Sequence, residues 1–136
     1  MPTPHHLLVI DDEPFIGRIV RLEFERGPYR VSIAHDGDEG LQFLREHPDV
    51  DIVLLDVNMP ARSGLDVLAE VREDPQLRGV PFIVLTAAGQ SATAERARTL
   101  GAAAFVTKPF SPKKLFRQVA TILGETPDGE PDEEEA

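Results

Sequence analysis

The chain contains no cysteine, no tryptophan and a single tyrosine. Without cysteine there can be no disulfide, no thiolate nucleophile and no thiol metal site, which agrees with a reducing compartment. Long apolar runs are missing as well, and none approaches the roughly 20 residues that a bilayer-spanning helix needs. Near the N-terminus the four-residue run Leu7-Leu8-Val9-Ile10 is followed at once by Asp11, Asp12 and Glu13, with neither a charged leader nor a small-residue cleavage site. A cytoplasmic location is the expectation. Basic residues are scarce, 14 Lys and Arg against 24 Asp and Glu for a net charge of -10, so direct binding of nucleic acid is disfavoured. Glycine-rich phosphate loops are also absent: neither G-x-G-x-x-G nor G-x-x-x-x-G-K-[ST] occurs, which removes a nucleotide-binding domain from consideration.

What the chain does hold is 136 residues of which 41% are hydrophobic and 28% charged, enough for one domain with a real core. Its charge is unevenly spread. Residues 1–94 carry 8 basic and 16 acidic side chains, residues 95–118 carry 6 and 1, and residues 125–136 carry none and 7. The last stretch, ETPDGEPDEEEA, has no large apolar residue and reads as an acidic disordered tail over 124–136, after a domain spanning 5–123.

Apolar runs bounded by turn or charged residues recur at Leu7–Ile10, Val31–Ala34, Ile52–Leu55, Phe82–Leu85 and Ala104–Val106, and these read as five short strands. Helical spacing lies between and after them: Phe15, Ile19 and Leu22; Leu41 and Leu44; Leu65, Leu68 and Val71; Ala94, Ala97 and Leu100, closed by Gly101; and Leu115, Phe116, Val119, Ile122 and Leu123, closed by Gly124. Strict β-α alternation calls for an α/β fold, a doubly wound parallel sheet with helices on both faces. Nearly continuous apolar strands suit a sheet covered on both sides. For five such units the flavodoxin-like strand order 2-1-3-4-5 is expected, with a ligand site at the carboxyl ends of strands 1 and 3.

Carboxylates stand at that rim. Asp11 and Asp12 close the first run and Asp56 closes the third. Strands about 4.8 Å apart let Asp12 and Asp56 reach one ion between them, and three clustered negative charges make sense only around a cation, an electrophile or both. Lys108 follows the fifth run, and its ammonium could hold an anion that the acids alone would repel. Thr86 ends the fourth run, where its hydroxyl could donate to that anion or simply cap a turn.

Asp11-Asp12, Asp56 followed by Val57-Asn58-Met59-Pro60 and Gly64, Thr86-Ala87, and Lys108-Pro109-Phe110 together resemble the receiver domain of bacterial response regulators, over about residues 5–123. The resemblance implies that Asp56 is the phosphoacceptor and that Asp12 binds Mg²⁺ directly. It implies that Asp11 acts largely through water, and that the backbone carbonyl of Asn58 completes the protein ligands. Lys108 would contact the phosphoryl group, Thr86 would move toward it, and Phe105 matches the switch aromatic that turns inward. The bond before Pro109 is typically cis in this family.

Mg²⁺ takes octahedral oxygen ligands and shares phosphate oxygens, so one or two carboxylates plus a carbonyl suit it. Phosphoryl transfer from phosphohistidine then needs in-line positioning and charge stabilisation, with Asp56 as covalent nucleophile. A flavin site would need a hydroxyl- and amide-rich loop where Asp11-Asp12-Glu13 stands. A Mg²⁺-dependent aspartyl-phosphate phosphatase is the closer rival, but it resembles a D-x-D pattern whose second acid exchanges protons, and Asn58 occupies that position. The expectation is therefore a stand-alone, phosphorylation-dependent switch of a two-component or phosphorelay pathway. It would not be an enzyme beyond promoting its own phosphorylation and slow dephosphorylation. Its expected partners are a histidine kinase or phosphotransfer protein, and a downstream protein read by the helix 4, strand 5 and helix 5 surface. The protein would be a monomer or a phosphorylation-dependent dimer. A phosphate sink without an output target, and a fragment of a longer protein, stay open.

Overall fold

The computed structural model describes residues 4–87 and 89–124. Five parallel strands alternate with five helices: β1 His5–Ile10, α1 Pro14–Phe24, β2 Tyr29–Ala34, α2 Gly37–Glu46, β3 Ile52–Asp56, α3 Gly64–Arg72, β4 Phe82–Ala87, α4 Ser91–Thr99, β5 Ala104–Lys108 and α5 Pro112–Ile122. The strand order is β2-β1-β3-β4-β5, the flavodoxin-like order expected. The strands run one to two residues further than their apolar cores. Asp56, Thr86 and Lys108 consequently sit within strand ends and inherit the rigidity of the ladder. The tail reading concerns residues 125–136, which lie outside the described residues.

Two cores flank the sheet because successive strand side chains point to opposite faces. Leu8, Ile10, Val53, Leu55, Phe82 and Val84 pack under α2, α3 and α4. Leu7, Val9, Ile52, Leu54, Ile83 and Leu85 pack under α1 and α5. The central strands β1, β3 and β4 are buried almost throughout, whereas every residue of the terminal strand β5 is half-exposed or exposed. Coverage on both faces therefore holds at the centre of the sheet and weakens at its edge.

In α1 the residues whose spacing marks the helix are not those it buries most deeply. Phe15 and Leu22 of α1 are 58% and 71% exposed, and the helix buries Ile16, Gly17, Val20 and Phe24 instead. Two apolar stripes share this helix, and the close approach of the sheet selects between them. A Cβ on Gly17 would lie 2.8 Å from Ile33 Cδ1 of β2, so α1 approaches β2 closely along the face that carries this glycine. Phe24 also meets Tyr29 and Phe116 at ring-centroid distances of 5.2 and 5.1 Å, tying α1 to β2 and α5.

Three of the helices start on side-chain caps. Asp36 accepts from the Glu39 N–H, Ser63 from the Leu65 N–H and Ser111 from the Lys114 N–H, each satisfying a donor that the first helical turn leaves free. The Ser63 cap starts α3 just after the loop that follows Asp56.

Candidate functional site

The carboxyl ends of β1, β3, β4 and β5 converge on one rim. Register pairs Ile10 with Leu55, Asp56 with Leu85 and Ala87 with Lys108. Lys108 therefore lies two strands from Asp56, roughly 10 Å in backbone spacing, and its long side chain closes that gap. Lys108 Nζ stands 3.1 Å from Asp11 Oδ2, 3.2 Å from Asp56 Oδ1 and 3.2 Å from Glu13 Oε1. Asp11, Asp56 and Thr86 are buried. The bond between Lys108 and Pro109 is cis.

Two backbone donors fix the acids. The Glu13 N–H donates to Asp11 Oδ1 at 2.9 Å, and the Asn58 N–H to Asp56 Oδ1 at 3.2 Å. Asp56 Oδ2 accepts no hydrogen bond among the described residues. Asp11 Oδ2, fully buried, accepts none either; the ammonium lies close to it as an ion pair, off the hydrogen-bonding direction. Glycine at position 64 keeps the rim open, because a Cβ there would fall 2.1 Å from the Asp56 carbonyl oxygen.

Electrostatics follow from burial. Desolvation lifts the Asp11 carboxyl to about 6, against the hydrogen bond from Glu13, with the neighbouring Asp56 charge adding to the rise and Lys108 opposing it. Asp56 is also raised, first by burial and then by Asp12, although Lys108 and the Asn58 N–H pull the other way. Burial works to lower the Lys108 ammonium, but pairing with Asp11, Asp56 and Glu13 outweighs it, and the net shift is upward. The rim is an anionic cluster with one cation inside it.

Asp11, Asp12 and Asp56 each bring a carboxylate oxygen within 4.8 Å of the others. Hard oxygen donors at that spacing, one of them a buried atom without a hydrogen bond, fit a divalent cation such as Mg²⁺. Thr86, named from the sequence, donates from Oγ1 to Gln90 Oε1 at 3.4 Å, and Thr93 Oγ1 donates to the same oxygen at 3.3 Å. Phe105 is half-buried against the core beneath α4 and also lines a surface groove with Ala87, Gln90 and Ala94. Sequence reasoning missed Glu13 and Gln90. Glu13 adjoins the acidic pair and was readable as a third rim acid, whereas nothing in the sequence marks Gln90 as the partner of Thr86.

The sequence model for the response regulator receiver domain matches residues 7–120. The response regulator SaeR of Staphylococcus aureus is 39% identical over 118 residues, which cover 87% of this chain and 50% of that protein. The chain thus spans about half the length of the curated relatives it matches. Among solved structures, a putative response regulator from Chloroflexus aurantiacus J-10-fl superposes with a TM-score of 0.83 at 30% identity, covering 90% of this chain and 99% of that one. The chemotaxis response regulator CheY4 of Vibrio cholerae gives 0.81 at 28% identity, covering 88% of this chain and 99% of that one.

Proposed function

The chain belongs to the response regulator receiver domain family of two-component signalling, and from that premise we propose that it is a switch thrown by phosphorylation of Asp56. The observation that carries this reading is the pairing of buried Asp56 with Lys108 at 3.2 Å, while the second carboxylate oxygen is left without a hydrogen bond among the described residues. Asp56 Oδ2 attacks the phosphorus of a phosphohistidine, the P–N bond breaks, and the bond pair leaves with the imidazole, which keeps or regains a proton. The developing charge on the phosphoryl oxygens falls beside the Lys108 ammonium. Mg²⁺ on Asp11, Asp12, Asp56 and the Asn58 carbonyl would neutralise the negative charge shared by nucleophile and phosphoryl group.

The donor is a histidine kinase or phosphotransfer protein. Its landing surface is α1, where exposed Phe15 and Leu22 lie along a helix that leaves the rim directly after Glu13; a contiguous apolar stripe there suits a helical partner. Output runs through Thr86 and Phe105 to a protein partner on α4, β5 and α5, with no direct contact to nucleic acid. The chain is not a turnover enzyme, since Asn58, two residues beyond Asp56, cannot exchange a proton. Incubation with a small phosphodonor and Mg²⁺ tests this: the protein should accumulate a slowly hydrolysed acyl phosphate. Rapid multiple turnover of phosphate monoesters would make it a phosphatase instead.

A further inference from the structure

The Lys108 ammonium faces three carboxylates that do not hold it in the same way. Its contacts with Asp11 and Asp56, at 3.1 and 3.2 Å, join it to side chains that are fully or almost fully buried. Glu13 is different. Its side chain is 60% exposed, and it accepts the one contact of this ammonium that has hydrogen-bond geometry among the described residues, from Nζ to Oε1 at 3.2 Å. That bond spans 95 positions of sequence, from the loop after β1 to the end of β5. The ammonium is thereby drawn toward the open mouth of the rim.

Local structure explains why the Glu13 side chain is available for this contact. Glu13 stands at the N-cap of α1, yet its side chain makes no cap hydrogen bond. Pro14 follows at the start of the helix, and a residue before proline is steered to extended backbone, as the Glu13 φ of -90° and ψ of 111° show. The Glu13 N–H also donates to Asp11 Oδ1 at 2.9 Å, which ties this backbone to the rim. Only the side-chain torsions are left free. The carboxylate can therefore leave Lys108 for solvent without moving α1 or the buried acids.

A phosphoryl group on Asp56 would meet the same ammonium. It offers three strong acceptor oxygens and more negative charge than a single carboxylate, and beside buried Asp56 it is screened less than a carboxylate in water. An exposed ion pair is weak by comparison, so the exchange runs toward the phosphoryl group. Resting on the reading of Asp56 as phosphoacceptor, we propose that Glu13 is a positioning residue for the transfer. In the unphosphorylated protein it holds Lys108 at the mouth of the rim and competes with the incoming phosphoryl oxygens. Once they are seated on Lys108, the Glu13 carboxylate swings into solvent.

Carbon-13 NMR of the Glu13 carboxyl in the full chain tests this, with Mg²⁺ in every sample and the signal assigned by its loss in Glu13→Gln. In the unphosphorylated protein the signal should differ from that in Lys108→Met, where its partner is gone. After treatment with a small phosphodonor it should move to the Lys108→Met position. Uptake rates give an independent reading. Glu13→Asp keeps the charge but is one methylene shorter, which withdraws it from Lys108, so Glu13→Asp and Glu13→Gln should both take up phosphoryl about two- to five-fold faster than the wild type, the range an exposed ion pair spans. A rise in Glu13→Gln alone would reflect general repulsion of an anionic donor and would overturn the competition. A chain phosphorylated on Asp56 whose Glu13 carboxyl signal has not moved would overturn this inference alone. A chain that takes up no phosphoryl group would overturn the reading of Asp56, and this inference with it.

Discussion

Gly64 opens α3 directly beneath the phosphoacceptor candidate, so that a Cβ at this position would come 2.1 Å from the Asp56 carbonyl oxygen and 3.0 Å from Val57 Cα. Both neighbours are backbone, which cannot swing aside as a side-chain tip can. Gly64→Ala must therefore displace the end of β3 or the start of α3. It should cost roughly 1–3 kcal/mol, as overpacking of a buried contact does, and should slow phosphoryl uptake because Asp56 moves relative to Lys108. Urea midpoints together with uptake rates check this; wild-type values of both would mean that the loop relaxes without moving the carboxylate.

The buried acids give the metal-free protein an unusual pH response. The folded protein holds the Asp11 proton up to about 6, whereas an unfolded chain releases it near 3.9. The native state therefore binds more protons in that window, and stability is lost as pH rises from about 4 to about 6. Asp56 is shifted in the same direction. Asp49 and Glu70 are shifted downward by their partners and act oppositely, so the diagnostic quantity is the difference between the wild type and Asp11→Asn. Denaturant midpoints should converge below pH 4, and the wild type should fall relative to the variant by pH 7. Parallel curves would mean that Asp11 titrates normally.

Mg²⁺ should reverse that loss. A ligand that binds only the folded state stabilises it by mass action, and here it also relieves repulsion among Asp11, Asp12 and Asp56. The melting temperature should rise through millimolar Mg²⁺, and the rise should shrink strongly in Asp12→Ala. An unchanged melting temperature, or an equal response in the variant, would exclude the cation site.

Output is expected to pass through Phe105. When the site is phosphorylated, Thr86 should leave Gln90 for the phosphoryl oxygens, making room into which Phe105 turns. Amide shifts across α4 and α5 on phosphorylation should be large in the wild type and much reduced in Phe105→Ala, with Asp56 still phosphorylated. Unreduced shifts would route the coupling elsewhere.

The fold was legible wherever burial is complete. β1, β3 and β4 are covered on both faces, so they read as unbroken apolar runs, and Leu41, Leu44, Leu65, Leu68 and Val71 lie in the core as their spacing requires. The spacing of Phe15, Ile19 and Leu22 marked α1 as a helix but not the face it buries, because its two apolar stripes are equivalent by period. The packing of Gly17 against Ile33 and of Phe24 against Tyr29 and Phe116 is tertiary and selects between them. At the rim, residue type placed the acids and Lys108, because charge at the end of an apolar strand is visible in one dimension. The Glu13 contact to Lys108 and the Gln90 contact to Thr86 depend on how loops fold back, which no periodicity encodes.

The central claim is that Asp56 alone receives the phosphoryl group. Intact-mass measurement after incubation with a small phosphodonor and Mg²⁺ tests it most directly. The account predicts one added phosphoryl group per chain, mapped to Asp56, labile to hydroxylamine and absent from Asp56→Asn. Equal labelling of Asp56→Asn, or no labelling of a wild-type chain shown to bind Mg²⁺, would contradict it.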